Sequence, residues 1–297
     1  MTKSVLVTGS NGFIGSHLCR TLKVSGYQVF FYDGLIEDFN AVKKTLREIR
    51  PDWIVHLAGV SSVGKCIADP AVAYLVNLNG TVGLLEAMIE ESPASALLFA
   101  STAQVYTASS SETERKAWSE TRELKPQNLY ARTKRAAEVV ITEMTREFGL
   151  KSVIFRLFNH THQSQSPDFF LPHLYEKICS GMTQIPVGNL DLWRDLGSVQ
   201  DLLRAFHLGI ERLNVVPGRA EVFNVCSGNA KRLGDLAEGL VQYLGRGSVQ
   251  FTSSLDRIRS GEPVWIEGDA SKLSRAVGWI PSAQSVDDLI GQFLAPI

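Results

Sequence analysis

The sequence has little of what marks the specialised protein classes. Its four cysteines, Cys19, Cys66, Cys179 and Cys226, lie far apart, with neither a C-x-x-C pair nor the density of a small disulfide framework. That spacing argues against thiol-ligated metal or structural bridges and reads as apolar filler in a reducing compartment, the cytoplasm. Net charge is nearly absent. A formal −1 provides no basic surface for nucleic acid and no pull towards an anionic membrane. No apolar segment reads as long enough to span a bilayer, and "MTKSVLVTGS" enters a strand too early to leave room for a targeting peptide. Repeats and low-complexity tracts are missing as well. At 297 residues the expectation is a globular protein of two domains or one large one.

What is present is a regular alternation. "KSVLVTG", "QVFFY", "DWIVHLAG", "SALLFAST" and "KSVIFRLFN" read as buried strands. Between them "FIGSHLCRTLKVSG", "NAVKKTLREIRP", "VAYLVNLNGTVGLLEAMIEES" and "NLYARTKRAAEVVITEMTREFG" carry helical spacing. This predicts an α/β fold, a doubly wound parallel (Rossmann) sheet, over residues 1–160 and re-entered around 195–227. A smaller mixed α/β substrate-binding domain is expected over 161–297. Packed over the carboxyl ends of the strands, it would form the crevice such sheets use for ligands.

"VTGSNGFIG" joins the first strand to the first helix. Gly9 permits the turn, Gly12 lets backbone approach a pyrophosphate, and Gly15 lets the helix pack closely on the sheet. At the first βα junction of an alternating chain, this spacing predicts dinucleotide binding. Asp33, after "QVFFY", is placed to accept from an adenosine ribose, which would favour NAD over NADP. A solvated turn aspartate reads equally well, and the short segment that follows would set Asp33 under the adenine ring.

Tyr130 and Lys134 in "YARTK" lie four apart on a predicted helix, hence on one face. A phenol with an ordinary pKa of about 10 protonates an alkoxide usefully only when a nearby cation lowers that value. Lys134 would supply the cation and hold a nicotinamide ribose, while Thr102 in "STAQVY" would hydrogen-bond the same substrate oxygen. An ordinary surface helix is the bland alternative for the pair.

With "VTGSNGFIG", "HLAG", "VNLNGT", "STAQVY", "YARTK" and "RLFN" in order, the chain resembles the extended short-chain dehydrogenase/reductases (the NAD-dependent epimerase/dehydratase superfamily), which act on nucleotide sugars. "RLFNHTHQSQSPDFF", "VGNLDLWRDLGSVQDLLRAF", "FNVCSG" and "RIRSGEP" look like the GDP-4-keto-6-deoxy-D-mannose reductases, which make GDP-D-rhamnose. The resemblance implies a triad of Thr102, Tyr130 and Lys134. Cofactor contacts, to NADPH or NADH, would come from Gly9, Asn11, Gly12, Phe13, Ile14, Gly15, Asp33, Leu57, Ala58, Gly59, Asn77, Tyr130 and Lys134. Substrate contacts, to a nucleotide-diphosphate sugar, would come from Ser62, Thr102, Asn159, Arg194, Arg259 and Glu262. It also implies a homodimer in which the two long helices pair with their copies.

Two departures stand out. His162-Gln163-Ser164 replaces the family's usual Gly-Pro-Gly, so the loop beside the sugar has another shape. "LGSV" follows Arg194-Asp195 where Phe-Thr-Asp-Val is more usual. His160 and His162 sit two apart in a loop with no clear third ligand, so no metal is expected. Finally, the superfamily's 4,6-dehydratases carry Asp-Glu directly after the threonine, because eliminating water takes a base and an acid besides the tyrosine. Ala103 and Gln104 supply neither. A ketone reductase is the expected activity and a 4-epimerase with retained NAD the alternative. A redox-silent nucleotide-binding regulator should lack Tyr130 or Lys134, and both are present.

Overall fold

The computed structural model describes residues 2–107, 115–254, 256 and 262–297. Its strands in chain order are β1 (Ser4–Thr8), β2 (Gln28–Tyr32), β3 (Trp53–His56), β4 (Ala96–Thr102), β5 (Lys151–Leu157), β6 (Asn159–Thr161), β7 (Gln184–Val187), β8 (Trp193–Ser198), β9 (Arg219–Val225), β10 (Ala230–Arg232), β11 (Gln250–Ser253) and β12 (Trp265–Ile266). The helices are α1 (Phe13–Val24), α2 (Phe39–Ile49), α3 (Val63–Ala68), α4 (Pro70–Tyr74), α5 (Gly80–Glu91), α6 (Leu129–Phe148), α7 (Phe170–Cys179), α8 (Val199–Arg212), α9 (Leu233–Tyr243), α10 (Ser271–Val277) and α11 (Val286–Leu294).

Two compact units result. The first comprises Met1–Thr107, Arg122–Leu157 and Phe206–Phe223, the second Ala108–Thr121, Phe158–Ala205 and Asn224–Ile297. In the first unit a six-stranded sheet runs in the order β2-β1-β3-β4-β5-β9, and β1 to β5 pair in parallel. Parallel neighbours need crossover helices, and helices on both faces leave no strand face for water. β3 and β4 are accordingly buried at every position. Leu6, Ile54, Leu97 and Ile154 of the strands meet Leu84 and Met88 of α5 and Ile141 of α6 in one apolar core. The order of connection reverses between β1 and β3, the place where such sheets open at their carboxyl ends. There the register sets Thr8 beside both Tyr32 and His56. The mostly parallel sheet with flanking helices is the expected α/β architecture.

One element differs from the plain helix expected over "VAYLVNLNGTVGLLEAMIEES". Between α4 and α5 the backbone widens into a single π turn, Leu75–Asn79, a device common at functional sites. The wider turn rotates Asn77 inward, where it is buried. Gly80 follows because a Cβ there would stand 2.7 Å from Ile36. Contrary to the sequence expectation, the helical run Pro70–Glu91 is long and apolar enough, by length and composition, to cross a membrane; half of that stretch is buried inside the fold.

The second unit has its own core, in which Leu171 and Leu174 of α7, Leu236 and Leu240 of α9, and Leu289 and Phe293 of α11 pack together. β8 is its organising strand, flanked by β10 and β12 and paired also with β6. Two buried aspartates pin the loops around it. Asp195 accepts from Ser227 N and Oγ, Gly228 N and Gly268 N. Asp201 accepts from Ser282 N and Oγ and from Ala283 N. Each carboxylate gathers several donors that would otherwise be left unsatisfied.

Candidate active site

The glycine loop turns the chain from β1 into α1. Gly9 has φ +67°, and a Cβ on it would stand 2.7 Å from the Ala58 amide nitrogen. Glycine is therefore required twice over, by conformation and by the approach of Leu57 and Ala58 after β3. A Cβ on Gly15 would run into the Gly9 carbonyl, so the helix lies directly on the turn. Gly12 is the N-cap of α1, offers no side-chain cap, and is followed by no acidic residue in the first turn. The leading N–H groups of α1 are thus available to an anion, which suits a dinucleotide pyrophosphate. Asn11 and Gly12 are exposed, and Phe13 and Ile14 half-buried. Asp33 is an exposed residue in the turn after β2.

Asn77 lies behind this surface. Its Oδ1 accepts from Val60 N at 2.7 Å, and its Nδ2 donates to Val60 O at 3.1 Å and to Thr133 Oγ1 at 3.0 Å. Both of its amide hydrogens are thereby used. A Cβ on Gly59 would stand 2.9 Å from Asn77 Oδ1, so the chain after β3 runs close against the π turn. Ser62 caps α3, its Oγ accepting from Lys65 N at 3.4 Å.

Thr102 ends β4, Tyr130 and Lys134 share one face of α6, and the fold brings the three together. The Thr102 side chain faces the Tyr130 hydroxyl and favours its charged form. The Lys134 ammonium lies 4.0 Å from the centre of the Phe99 ring, a cation–π contact three residues before Thr102 on the same strand. The electrostatics differ from the expectation that the lysine lowers the phenol. Burial pushes the Tyr130 phenol up to about 12, against a lowering by the Thr102 side chain. Burial also brings Lys134 down to about 7, with Glu138 opposing it. Desolvation of both charged forms outweighs the charge interaction.

The two residues after Thr102 have specific duties. Ala103 is buried. Gln104 Oε1 accepts from Asn128 Nδ2 at 2.8 Å, while Asn128 Oδ1 caps α6 by accepting from Ala131 N at 2.9 Å. Gln104 therefore ties the end of β4 to the first turn of the helix that carries Tyr130. Sequence reasoning treated it only as the lack of an acid.

Also missed was a buried carboxylate one turn beyond Lys134. Glu138 accepts from Ser101 Oγ at 2.6 Å and from Arg156 Nε and Nη2 at 3.0 and 2.8 Å. Arg156 in turn donates to the Tyr106 hydroxyl at 3.1 Å. Ser101 and Tyr106 flank Thr102, so this network locks the strand end to α6. The i, i+4 spacing of Lys134 and Glu138 is legible in the chain; the partner on β5 is not.

In the second unit Arg194 and Glu262 form an ion pair at 2.8 Å, and Arg194 Nη1 donates to Trp193 O. Asn159 is exposed and stands opposite Leu196 on the strand that carries Arg194. Arg259 lies outside the described residues. His160 Nδ1 bonds Phe158 O, and the two ring nitrogens of His162 bond Ser164 Oγ and Ala295 O. Gln163 reaches Phe293 O and Leu294 O. His162-Gln163 thus anchors its loop to the end of α11.

Residues 5–226 match the NAD dependent epimerase/dehydratase family. The chain is 29% identical to a GDP-6-deoxy-D-mannose reductase of Pseudomonas aeruginosa, over 95% of this chain and 93% of that protein. It is 27% identical to a UDP-glucose 4-epimerase of Lactobacillus helveticus, over 96% and 94%. Among solved structures it is similar to RMD from Pseudomonas aeruginosa complexed with NADPH, with a TM-score of 0.86 and 26% identity over 98% and 99% of the two chains. The UDP-glucose 4-epimerase of Thermotoga maritima with UDP-glucose gives 0.85 and 25%, over 98% of each chain.

Proposed function

The chain belongs to the NAD dependent epimerase/dehydratase family, whose enzymes use a nicotinamide dinucleotide, and from that membership we propose that it is a nucleotide-sugar ketone reductase. The substrate of this reading is a GDP-4-keto-6-deoxyhexose and the product a GDP-D-rhamnose-type sugar. The observation that carries it is Gln104. A neutral amide tied to the cap of α6, after a buried alanine, places no acid–base pair beside Thr102 and leaves the proton transfer of this reading to Tyr130. One donor suffices for reduction and not for dehydration. The similarity to the Pseudomonas reductase supports the choice of sugar.

In this mechanism Thr102 holds the C4 carbonyl oxygen at the end of β4. Bound by the first unit, NADPH or NADH would supply the hydride for C4. Tyr130 gives its phenolic proton to the same oxygen, so the ketone becomes an alcohol and the phenol a phenolate. Lys134 in its charged form stabilises that phenolate. The first unit would hold the cofactor. The second, through Asn159, Arg194 and Arg259, would hold the nucleotide diphosphate, with the planar fork of Arg194 exchanging the Glu262 carboxylate for phosphate oxygens and leaving Glu262 to accept from a substrate hydroxyl.

A 4-epimerase is the second reading, favoured by the 27% identity to the Lactobacillus enzyme and needing no further acid. Incubation with reduced cofactor and GDP-4-keto-6-deoxymannose separates the two. Oxidation of one cofactor per sugar is the expected result. Isomerisation of a nucleotide sugar with the cofactor retained would replace the reductase by the epimerase. Release of a 4-keto product from GDP-mannose would overturn both.

A further inference from the structure

His56 closes β3 in the middle of the sheet, fully buried, and no step of the proposed reaction uses it. Its ring lies between two hydroxyls: Nδ1 is 2.7 Å from Thr8 Oγ1 and Nε2 is 3.1 Å from Thr81 Oγ1. The direction of each bond follows from its neighbours. Thr81 donates to the Asn77 carbonyl at 2.8 Å, and a carbonyl only accepts, so the single Thr81 proton is used there. Thr81 Oγ1 must then accept from His56, which puts the ring proton on Nε2. Nδ1 is left as an acceptor for the Thr8 hydroxyl, and Thr8 Oγ1 accepts from Ala58 N at 3.3 Å.

The main-chain carbonyl of Asn77 ends this run, and a second begins at the side-chain amide of the same residue. Val60 N can only donate, so its 2.7 Å contact fixes Oδ1 and thereby orients the amide. Nδ2 then donates to Thr133 Oγ1 at 3.0 Å, and Thr133 donates to the carbonyl of Tyr130 at 2.8 Å. Every proton from Thr8 to Tyr130 has one place to go. Such a network is fully satisfied only in one arrangement, and it specifies that arrangement sharply.

We propose that His56 is a positioning residue for Tyr130: neutral, with its proton on Nε2, it ties the end of β1, beside the glycine loop, to the main chain of Asn77, whose side-chain amide carries the link on through Thr133 to the main-chain carbonyl of Tyr130. The proposal rests on the reading of Tyr130 as proton donor. The glycine loop sets where the cofactor lies and the carbonyl of Tyr130 sets the first turn of α6, so the chain fixes the donor relative to the hydride source. The π turn has a purpose in this scheme, because it turns Asn77 to face both β3 and α6. Lys134 is the charged group facing the ring, and it opposes a second proton on His56 in the same direction as burial.

The test pairs Thr133→Val, which keeps the shape of the buried threonine and removes its hydroxyl, with Thr133→Ser, which keeps the hydroxyl. Thr133→Val should lower kcat about tenfold with the KM for reduced cofactor unchanged, because a small displacement of a reacting group is costly. Thr133→Ser should return kcat to within about threefold. Thr8→Val combined with Thr133→Val should cost less than the product of the single effects, since the first break already frees the chain; independent effects would multiply. Normal kcat in Thr133→Val, with or without a lower melting temperature, overturns the proposal, as does multiplicative behaviour of the pair. A second measurement needs no substrate. In ¹⁵N-histidine spectra His56 should show the Nε2–H form throughout about pH 5 to 8, where an ordinary histidine titrates. A proton on Nδ1, or titration in that range, overturns the chain. Full activity of Tyr130→Phe would instead refute the site reading and leave the spectrum as it is.

Discussion

At the residue scale the site depends on two groups that burial moves in opposite directions. With the Tyr130 phenol raised and Lys134 brought down to about 7, charge at the lysine becomes sensitive near neutrality. Lys134 is protonated below about 7 and loses its charge as pH rises through that value. kcat/KM, which reports the free enzyme, should therefore fall on the alkaline side of about pH 7. Stability should move the other way. The folded pKa lies below the unfolded one, so between about 7 and 10.4 the unfolded chain binds the extra proton, and this group's contribution to stability grows with pH. Rate profiles and melting curves over that range check both signs. Tyr130→Phe keeps the ring and removes the hydroxyl proposed as the proton donor. Turnover should drop by about 10²-fold or more with cofactor affinity little changed, and a near-normal rate would remove Tyr130 from its role.

At the scale of elements, α6 is held to the sheet by polar groups as much as by its apolar face. Arg156 on β5 and Glu138 on α6 are both almost fully buried, and Glu138 also takes the Ser101 hydroxyl. Replacing one member leaves the other charge without its partner in a low-dielectric interior. Glu138→Gln should therefore cost about 3–5 kcal/mol of unfolding free energy, measured by urea denaturation. A loss below about 1 kcal/mol would show that the pair is better hydrated than its burial indicates. The cap of the same helix is shared with the strand end through Gln104 and Asn128, so substituting Ala103 and Gln104 with Asp and Glu would alter the helix entry as well as add acid.

For the whole molecule, the outer faces of the helices near Pro70–Glu91 and of α6 carry exposed apolar side chains: Ile67 at 64%, and Val72, Tyr74, Leu75 and Val139 at 40–43%. All belong to the first unit. A two-fold pairing of these helices with their copies would cover them, and isologous contacts are the commonest assembly. A dimer mass by light scattering at micromolar concentration is the expected result, with Val139→Glu giving a folded monomer. A wild-type monomer would refute the pairing.

The features the sequence determined are the ones written in short-range spacing. Gly9, Gly12 and Gly15 span one turn and one helix start. Tyr130 and Lys134 are one helical turn apart, and the alternation of β-branched runs with amphipathic stretches points to a parallel sheet because each intervening helix serves as a crossover that covers a face of the strands it joins. What only the tertiary structure decided involves residues far apart in the chain. The partner of Gln104 is Asn128, that of Glu138 is Arg156, and Asn77 reaches both Val60 and Thr133 because a π turn rotates it. The protonation of the site belongs to the same class. A cation four residues from a phenol argues for a lowered tyrosine, yet Phe99 from β4 and the surrounding sheet remove the water on which both charged forms depend. Desolvation is a property of everything packed around a group, and no local spacing encodes it.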